Sequence, residues 1–236
     1  MSRRILFVFT SNDRLVNTTV KTGWYLPEAA HPYYGLKTAG FEINFVSELG
    51  GRPPLDESSI SATKNDAVCQ RFLNDAQVQK MLDEAPPLSS IKLPAPEYDA
   101  VFYPGGQGPL IGLPQNTQSQ NLIRTMFEDG RVVSAICHAP AVFTEVKLQD
   151  GKYLVDGRKV TSMSNKEEEL WGRVPYVPYL VQSRLKERGG IFIEGSTAWG
   201  DHVVVDKDSH GRKLVTGANP ASGGSLAREI IKLLRE

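Results

Sequence analysis

The stretch SAICHAPAVF (134–143) sets a cysteine, Cys137, directly before a histidine, His138, at the end of an apolar run, Val132-Val133-Ser134-Ala135-Ile136. A helical pattern follows Ala139-Pro140. A free cysteine in that place has two readings. It can be a packing residue, since free Cys is among the most buried residue types and behaves as a small hydrophobe. It can also be a nucleophile: a thiol on a tight strand-to-helix turn is held clear of the sheet, beside the positive end of a helix dipole that favours the thiolate. The turn and the neighbouring imidazole favour the nucleophile. His138 itself can serve the thiol or merely satisfy a backbone carbonyl.

Acids that would complete such a site are few. Glu28 follows an apolar, aromatic stretch, Trp24-Tyr25-Leu26-Pro27. It reads either as a first-turn helix acid or as a carboxyl of raised pKa in a cleft, able to hydrogen-bond a thiolate and move a proton. Farther on, Glu167, Glu168 and Glu169 are consecutive, and Ser164 with Glu167 forms a capping-box pattern. Glu168 is preferred as the acid that orients His138, by its distance from the strand end at Val160-Thr161. The second cysteine, Cys69, falls in an amphipathic helical pattern and reads as structural. His31, His202 and His210 lie far apart and lack Cys partners, so no metal is expected. His31 shares a helical face with Glu28, but two groups are a thin metal set.

Positioning these residues takes alternating β and α elements. Residues 3–10, 41–48, 98–106 and 132–137 read as strands, and 24–40, 66–84, 118–130 and 225–236 as helices. The strands are apolar with little alternation, the mark of a parallel sheet covered on both faces. Two hairpin-like pieces, 152–163 and 202–217, each have a polar turn between apolar arms. Residues 49–59 are a polar, turn-rich excursion. No linker or repeat divides the chain, so one α/β domain over 1–236 is expected. Function in such sheets collects at the C-terminal strand ends, where both Pro104-Gly105-Gly106 and Cys137-His138 fall.

Composition narrows the classes. Lys+Arg and Asp+Glu both number 27, so no net charge draws the chain to nucleic acid or an anionic membrane. Two isolated cysteines in 236 residues suit a reducing compartment rather than a disulfide framework. The apolar run Ile5–Phe9 is too short for a signal peptide and reads as a first strand. No stretch approaches a membrane span. A cytoplasmic enzyme-sized domain is expected.

Several segments together resemble the PfpI-like, class I glutamine amidotransferase-like superfamily, in its branch of heat-shock-type chaperones and glutathione-independent glyoxalases. They are KTGWYLPEAAHPYY, GGRPPLD, YDAVFYPGGQGPL, VVSAICHAPAVF, NKEEE and LVTGANPAS, in that order over nearly the whole chain. The resemblance implies a flavodoxin-like three-layer sandwich with a mostly parallel central sheet and added hairpins. It also implies a nucleophile at Cys137, with His138 behind it, Glu28 facing it and Glu168 as the third group. Backbone amides at Gly106 and His138 would form the anion hole. No cofactor is implied, and a homodimer is.

The chain departs from the family where Gly106-Gln107-Gly108 replaces Gly-His-Gly. An imidazole gives way to an amide that cannot titrate but can hydrogen-bond a substrate carbonyl. Thr161-Ser162-Met163-Ser164 stands where Gly-Phe-Thr is common. The expected function is thiol-dependent conversion of a small 2-oxoaldehyde such as methylglyoxal to a 2-hydroxy acid. A stress-related holdase with a redox-sensing Cys137, or a thiol hydrolase or lyase on a specialised metabolite, are the alternatives.

Overall fold

The structure, a computed structural model, describes residues 3–16 and 18–236. In chain order the elements are β1 (Arg4–Phe9), α1 (Leu26–Thr38), β2 (Glu42–Ser47), α2 (Glu57–Ala62), α3 (Ala67–Asn74), α4 (Ala76–Asp83), β3 (Ala100–Tyr103), α5 (Thr117–Glu128) and β4 (Val132–Ile136). They continue with β5 (Lys159–Val160), α6 (Asn165–Trp171), α7 (Val181–Glu187), β6 (Ile191–Phe192), β7 (Val203–Lys207), β8 (Lys213–Gly217) and α8 (Gly223–Arg235). Six strands form the main sheet in the order β2-β1-β3-β4-β8-β7. All pairs are parallel except β7 with β8, which closes one edge as an antiparallel hairpin.

Both faces of this sheet are buried, which is why its strands carry unbroken apolar runs. Side chains of β1 alternate between two cores. Ile5, Phe7 and Phe9 pack with Leu36 of α1, Phe72 of α3 and Leu226 and Ile230 of α8. Leu6 and Val8 pack on the other face with Leu122, Ile123 and Phe127 of α5. The architecture is the expected α/β three-layer sandwich. The order in which strands are added reverses between β1 and β3, and the crevice at such a switch point is where open α/β sheets bind ligands.

Three expectations are corrected. The single helix over 66–84 is two helices, α3 and α4, broken where Asp75 turns extended to accept hydrogen bonds from Gln77 N and Val78 N. An Asp that caps the next helix competes with continuing the previous one. Residues 152–163 form no hairpin: Tyr153 bridges back to Lys147, whereas Lys159 and Val160 pair in parallel with Ile191 and Phe192. The 202–217 hairpin does form. Finally, the helix expected after Cys137 is a short 3-10 turn, Ala139–Phe143, too brief to present much dipole.

The aromatic segment before α1 is anchored from below. Trp24 packs edge-on against Phe9 and Phe72, at centroid distances of 5.2 and 5.9 Å. Its backbone N–H donates to Pro54 O at 2.9 Å and its indole N–H to Pro53 O at 3.2 Å. A Cβ on Gly23 would sit 2.0 Å from Pro54 O, so the GGRPPLD excursion can approach only a glycine there. This seam fixes the start of α1 and therefore Glu28.

Candidate active site

Cys137 leaves β4 with φ +63°, a left-handed conformation costing a non-glycine residue roughly 1–2 kcal/mol. Two backbone hydrogen bonds hold it: Cys137 N donates to Gly217 O at 2.9 Å, and Met163 N donates to Cys137 O at 2.8 Å. The turn aims the thiol away from the sheet, and the Pro104-Gly105-Gly106 turn closes over it. A Cβ on Gly105 would lie 2.2 Å from Glu28 Oε2, 2.5 Å from Ile136 O and 2.7 Å from Cys137 Cβ. Gly106, at φ +101°, would clash with Gly23 O. Only glycine fits between the acid and the thiol. Gly105→Ala is expected to abolish detectable turnover and to cost about 1–3 kcal/mol in urea unfolding by overpacking.

His138 Nδ1 lies 3.2 Å from Cys137 Sγ, and its Nε2 bonds the Glu168 carboxylate. Gln107 Nε2 donates to the other Glu168 oxygen at 2.9 Å. All four side chains are buried. With Nε2–H donating to Glu168, Nδ1 presents its lone pair to the thiol and can take its proton. The neighbouring glutamates have other fates. Glu167 closes the capping box with Ser164 and also accepts from Trp199 N and Asn219 Nδ2, both at 2.8 Å. Glu169 is exposed. Glu168 is the one left to face His138.

Gln107 is thus brought to Glu168, not to the cavity in front of Cys137. Its amide N–H occupies one carboxylate oxygen, leaving the other for the imidazole. Replacing it with leucine leaves that oxygen buried and unpaired. The Gln107→Leu variant is expected to lose about tenfold or more in kcat with KM little changed, because Glu168 then holds the ring less well. Steady-state kinetics with a matched unfolding curve would check this.

Glu28 is fully buried on the first turn of α1, and neither carboxyl oxygen has a fully formed hydrogen bond. Burial pushes its pKa up to about 8, opposed by the Cys137 side chain and the Gly106 N–H. The acid is therefore neutral near pH 7. Burial also pushes the Cys137 thiol well up, and a charged Glu28 would push it farther. The helix-dipole lowering expected at Cys137 is outweighed. What lowers the thiol is local, the Gly106 N–H, and His138 Nδ1 at 3.2 Å is placed to take its proton. Tyr25, raised to about 12 by burial and by these two acids, stays a neutral hydroxyl.

A cavity of about 290 Å³ opens in front of the thiol. Glu28, Gly106 and Cys137 provide its polar floor, and Tyr25, Met163, Trp171, Trp199 and Pro220 its largely apolar wall. Trp171 meets Trp199 edge-on at 6.3 Å and Tyr25 at 6.5 Å. A nucleophile, a neutral acid and a backbone donor therefore face one small, mostly apolar space. That wall had no signal in the sequence, since Tyr25, Trp171 and Trp199 come from separate segments.

A family model described as DJ-1/PfpI family matches residues 19–233. The chain belongs to the DJ-1/PfpI family. Among its relatives, this DJ-1/PfpI chain is 30% identical over 247 residues to the glutathione-independent glyoxalase HSP31 of Saccharomyces cerevisiae, covering 99% of this chain and 98% of the relative. The crystal structure of glyoxalase III from Candida albicans superposes with a TM-score of 0.87 at 26% identity, over 98% of this chain and 97% of that one. The Francisella tularensis protein REP24 superposes with a TM-score of 0.89 at 30% identity, over 98% and 99% of the two chains.

Proposed function

We propose that this DJ-1/PfpI protein is a glutathione-independent glyoxalase that converts a 2-oxoaldehyde such as methylglyoxal to its 2-hydroxy acid. The observation that carries the reading is Glu28: a buried carboxyl, neutral to about pH 8, set against Cys137 at the floor of a small cavity. Such a group can donate a proton and then, once ionised, remove one from carbon. The similarity to proteins named as glyoxalases supports the same substrate class.

His138 Nδ1 takes the thiol proton while Cys137 sulfur bonds the aldehyde carbon. Glu28 gives its proton to the aldehyde oxygen, producing a hemithioacetal. The Glu28 carboxylate then removes the hydrogen from that carbon, leaving an enediolate whose charge the Gly106 N–H stabilises. Glu28 returns the proton to the neighbouring carbon, and the first hydroxyl proton shifts to the second oxygen. The product is a thioester of the 2-hydroxy acid. Water adds to the thioester, its proton restores neutral Glu28, and sulfur leaves to recover its own proton from His138.

In this reading the protein is a lyase by classification, acting in the cytoplasm as a single-domain chain in a homodimer. Among the described residues no helix is long and apolar enough to cross a membrane. The test is methylglyoxal consumption by the purified protein without glutathione, with the acid product identified by mass. Lactate formed in step with methylglyoxal loss is expected. A Cys137 that alkylates readily while methylglyoxal persists unchanged would overturn the substrate and keep the nucleophile.

A further inference from the structure

One turn along α1 from Glu28, outside the catalytic cavity, lies a second cluster. His31, one turn after Glu28, points toward α3, and its Nε2 lies 2.7 Å from Asp66 Oδ2. Asp66 is the cap of α3: its Oδ1 accepts from Val68 N at 2.9 Å and Cys69 N at 3.1 Å, which leaves Oδ2 to meet His31. Cys69, in the first turn of α3, is fully buried. Its sulfur, the His31 nitrogen and the Asp66 oxygen all lie within 4.8 Å of one another. His31 thus meets a pair 35 and more positions farther along the chain, at one point between two helices.

The donors are of three kinds: an imidazole nitrogen, a carboxylate oxygen and a thiol sulfur. Calcium and magnesium want oxygen ligands and several of them, so a set with one carboxylate oxygen does not suit them. Zinc takes all three, at about 2.0–2.1 Å from His N, 2.0–2.2 Å from a carboxylate O and 2.3 Å from Cys S. In a tetrahedron with those bonds the donors stand roughly 3.2–3.6 Å apart. The His31–Asp66 pair, now at 2.7 Å, would therefore open by less than about 1 Å, and a pair at the 4.8 Å limit would close by about 1.2 Å. Side-chain rotation alone supplies such shifts. His31 and Asp66 line a cavity of about 370 Å³, whose other wall includes Asp201 and Arg228, and it leaves room for water.

We propose that His31 Nε2, Asp66 Oδ2 and Cys69 Sγ form a binding site for a borderline-soft divalent cation, zinc above all, with its fourth position open to this cavity. On binding, the Cys69 thiol loses its proton to solvent and the sulfur binds as thiolate. His31 binds as the neutral ring, with its proton on Nδ1. The ion ties α1 to α3 across their packed faces, one helical turn from Glu28, and so holds the helix that carries the acid.

Cys137 is the competing thiol, so the test uses the Cys137→Ser protein. Titration with Co²⁺ is expected to saturate at one equivalent with a near-ultraviolet thiolate-to-metal absorption band, which Zn²⁺ then displaces. Adding Cys69→Ser should abolish the band. Adding His31→Gln, at a partly exposed position where folding is retained, should weaken zinc binding at least tenfold. Zn²⁺ should also raise the melting temperature of the parent but not of these two variants. Absence of the thiolate band, or zinc affinity unchanged by both substitutions, would overturn the site. None of these readouts depends on turnover of methylglyoxal.

Discussion

Cys137→Ser is expected to reduce methylglyoxal turnover at least a thousandfold while leaving the fold intact. A hydroxyl is a far weaker nucleophile than a thiol at neutral pH, and the step that forms the covalent intermediate depends on it. The substitution changes one buried atom, keeps a hydrogen-bonding partner for His138 Nδ1 and does not disturb the φ +63° backbone, which the bonds to Gly217 and Met163 determine. Circular dichroism and melting should therefore match the parent closely. Cys69→Ser, compared with the parent after chelation so that both are metal-free, is the control, expected to keep turnover within about twofold because that thiol lies in α3, outside the catalytic cavity. Loss of activity in both variants alike would point away from a nucleophile at Cys137.

Glu28→Gln is expected to show two effects of opposite sign. Turnover should fall about 10²–10⁴-fold, since an amide can neither remove a proton from carbon nor give one to the aldehyde oxygen. Stability should move the other way at high pH. The folded pKa of about 8 lies above the ordinary carboxyl value of 4.5, so the folded state holds a proton that the unfolded chain releases in between. Glu28 therefore contributes its full stability below about pH 4.5, and this is lost progressively as pH rises to about 8. By about pH 9 the wild type carries a penalty of a few kcal/mol that the Gln variant lacks. Urea unfolding of both proteins from pH 5 to 9 would read it as a widening gap in favour of the variant. A gap independent of pH would mean that Glu28 is already ionised in the folded protein. The same proton sets an upper limb near pH 8 in kcat/KM.

The parts of the site that could be read from sequence were those carried by short-range pattern. Cys137 and His138 are adjacent, and Glu28 stands out as the one acid after Trp24-Tyr25-Leu26-Pro27. Glu168 needed its neighbours removed, and the Ser164–Glu167 capping box did part of that. Gln107 was legible as an oddity but not as a partner of Glu168, because the two lie 61 positions apart and nothing local links them. His31 and Asp66 were hidden for the same reason. The fold shows the same division. Apolar strands announced the parallel sheet, whereas the 152–163 segment had the composition of a hairpin and lost that pairing to Ile191 and Phe192. The break at Asp75 follows from a local cap competing with a helical stripe, and a stripe alone does not record it.

The two tryptophans on the cavity wall have an optical consequence. The chain has three tryptophans, and the third, Trp24, is sealed in the core against Phe9 and Phe72. Trp171 and Trp199 stand at the cavity, the latter 41% exposed to solvent. Intrinsic fluorescence therefore divides into a constant, blue-shifted contribution from Trp24 and a red-edge contribution from the pair at the entrance. An aldehyde seated on Cys137 is expected to quench or shift only the red edge, because it lies against that pair and not against Trp24. Occupancy of the thiol can in this way be followed in real time, on the native chain, without a label.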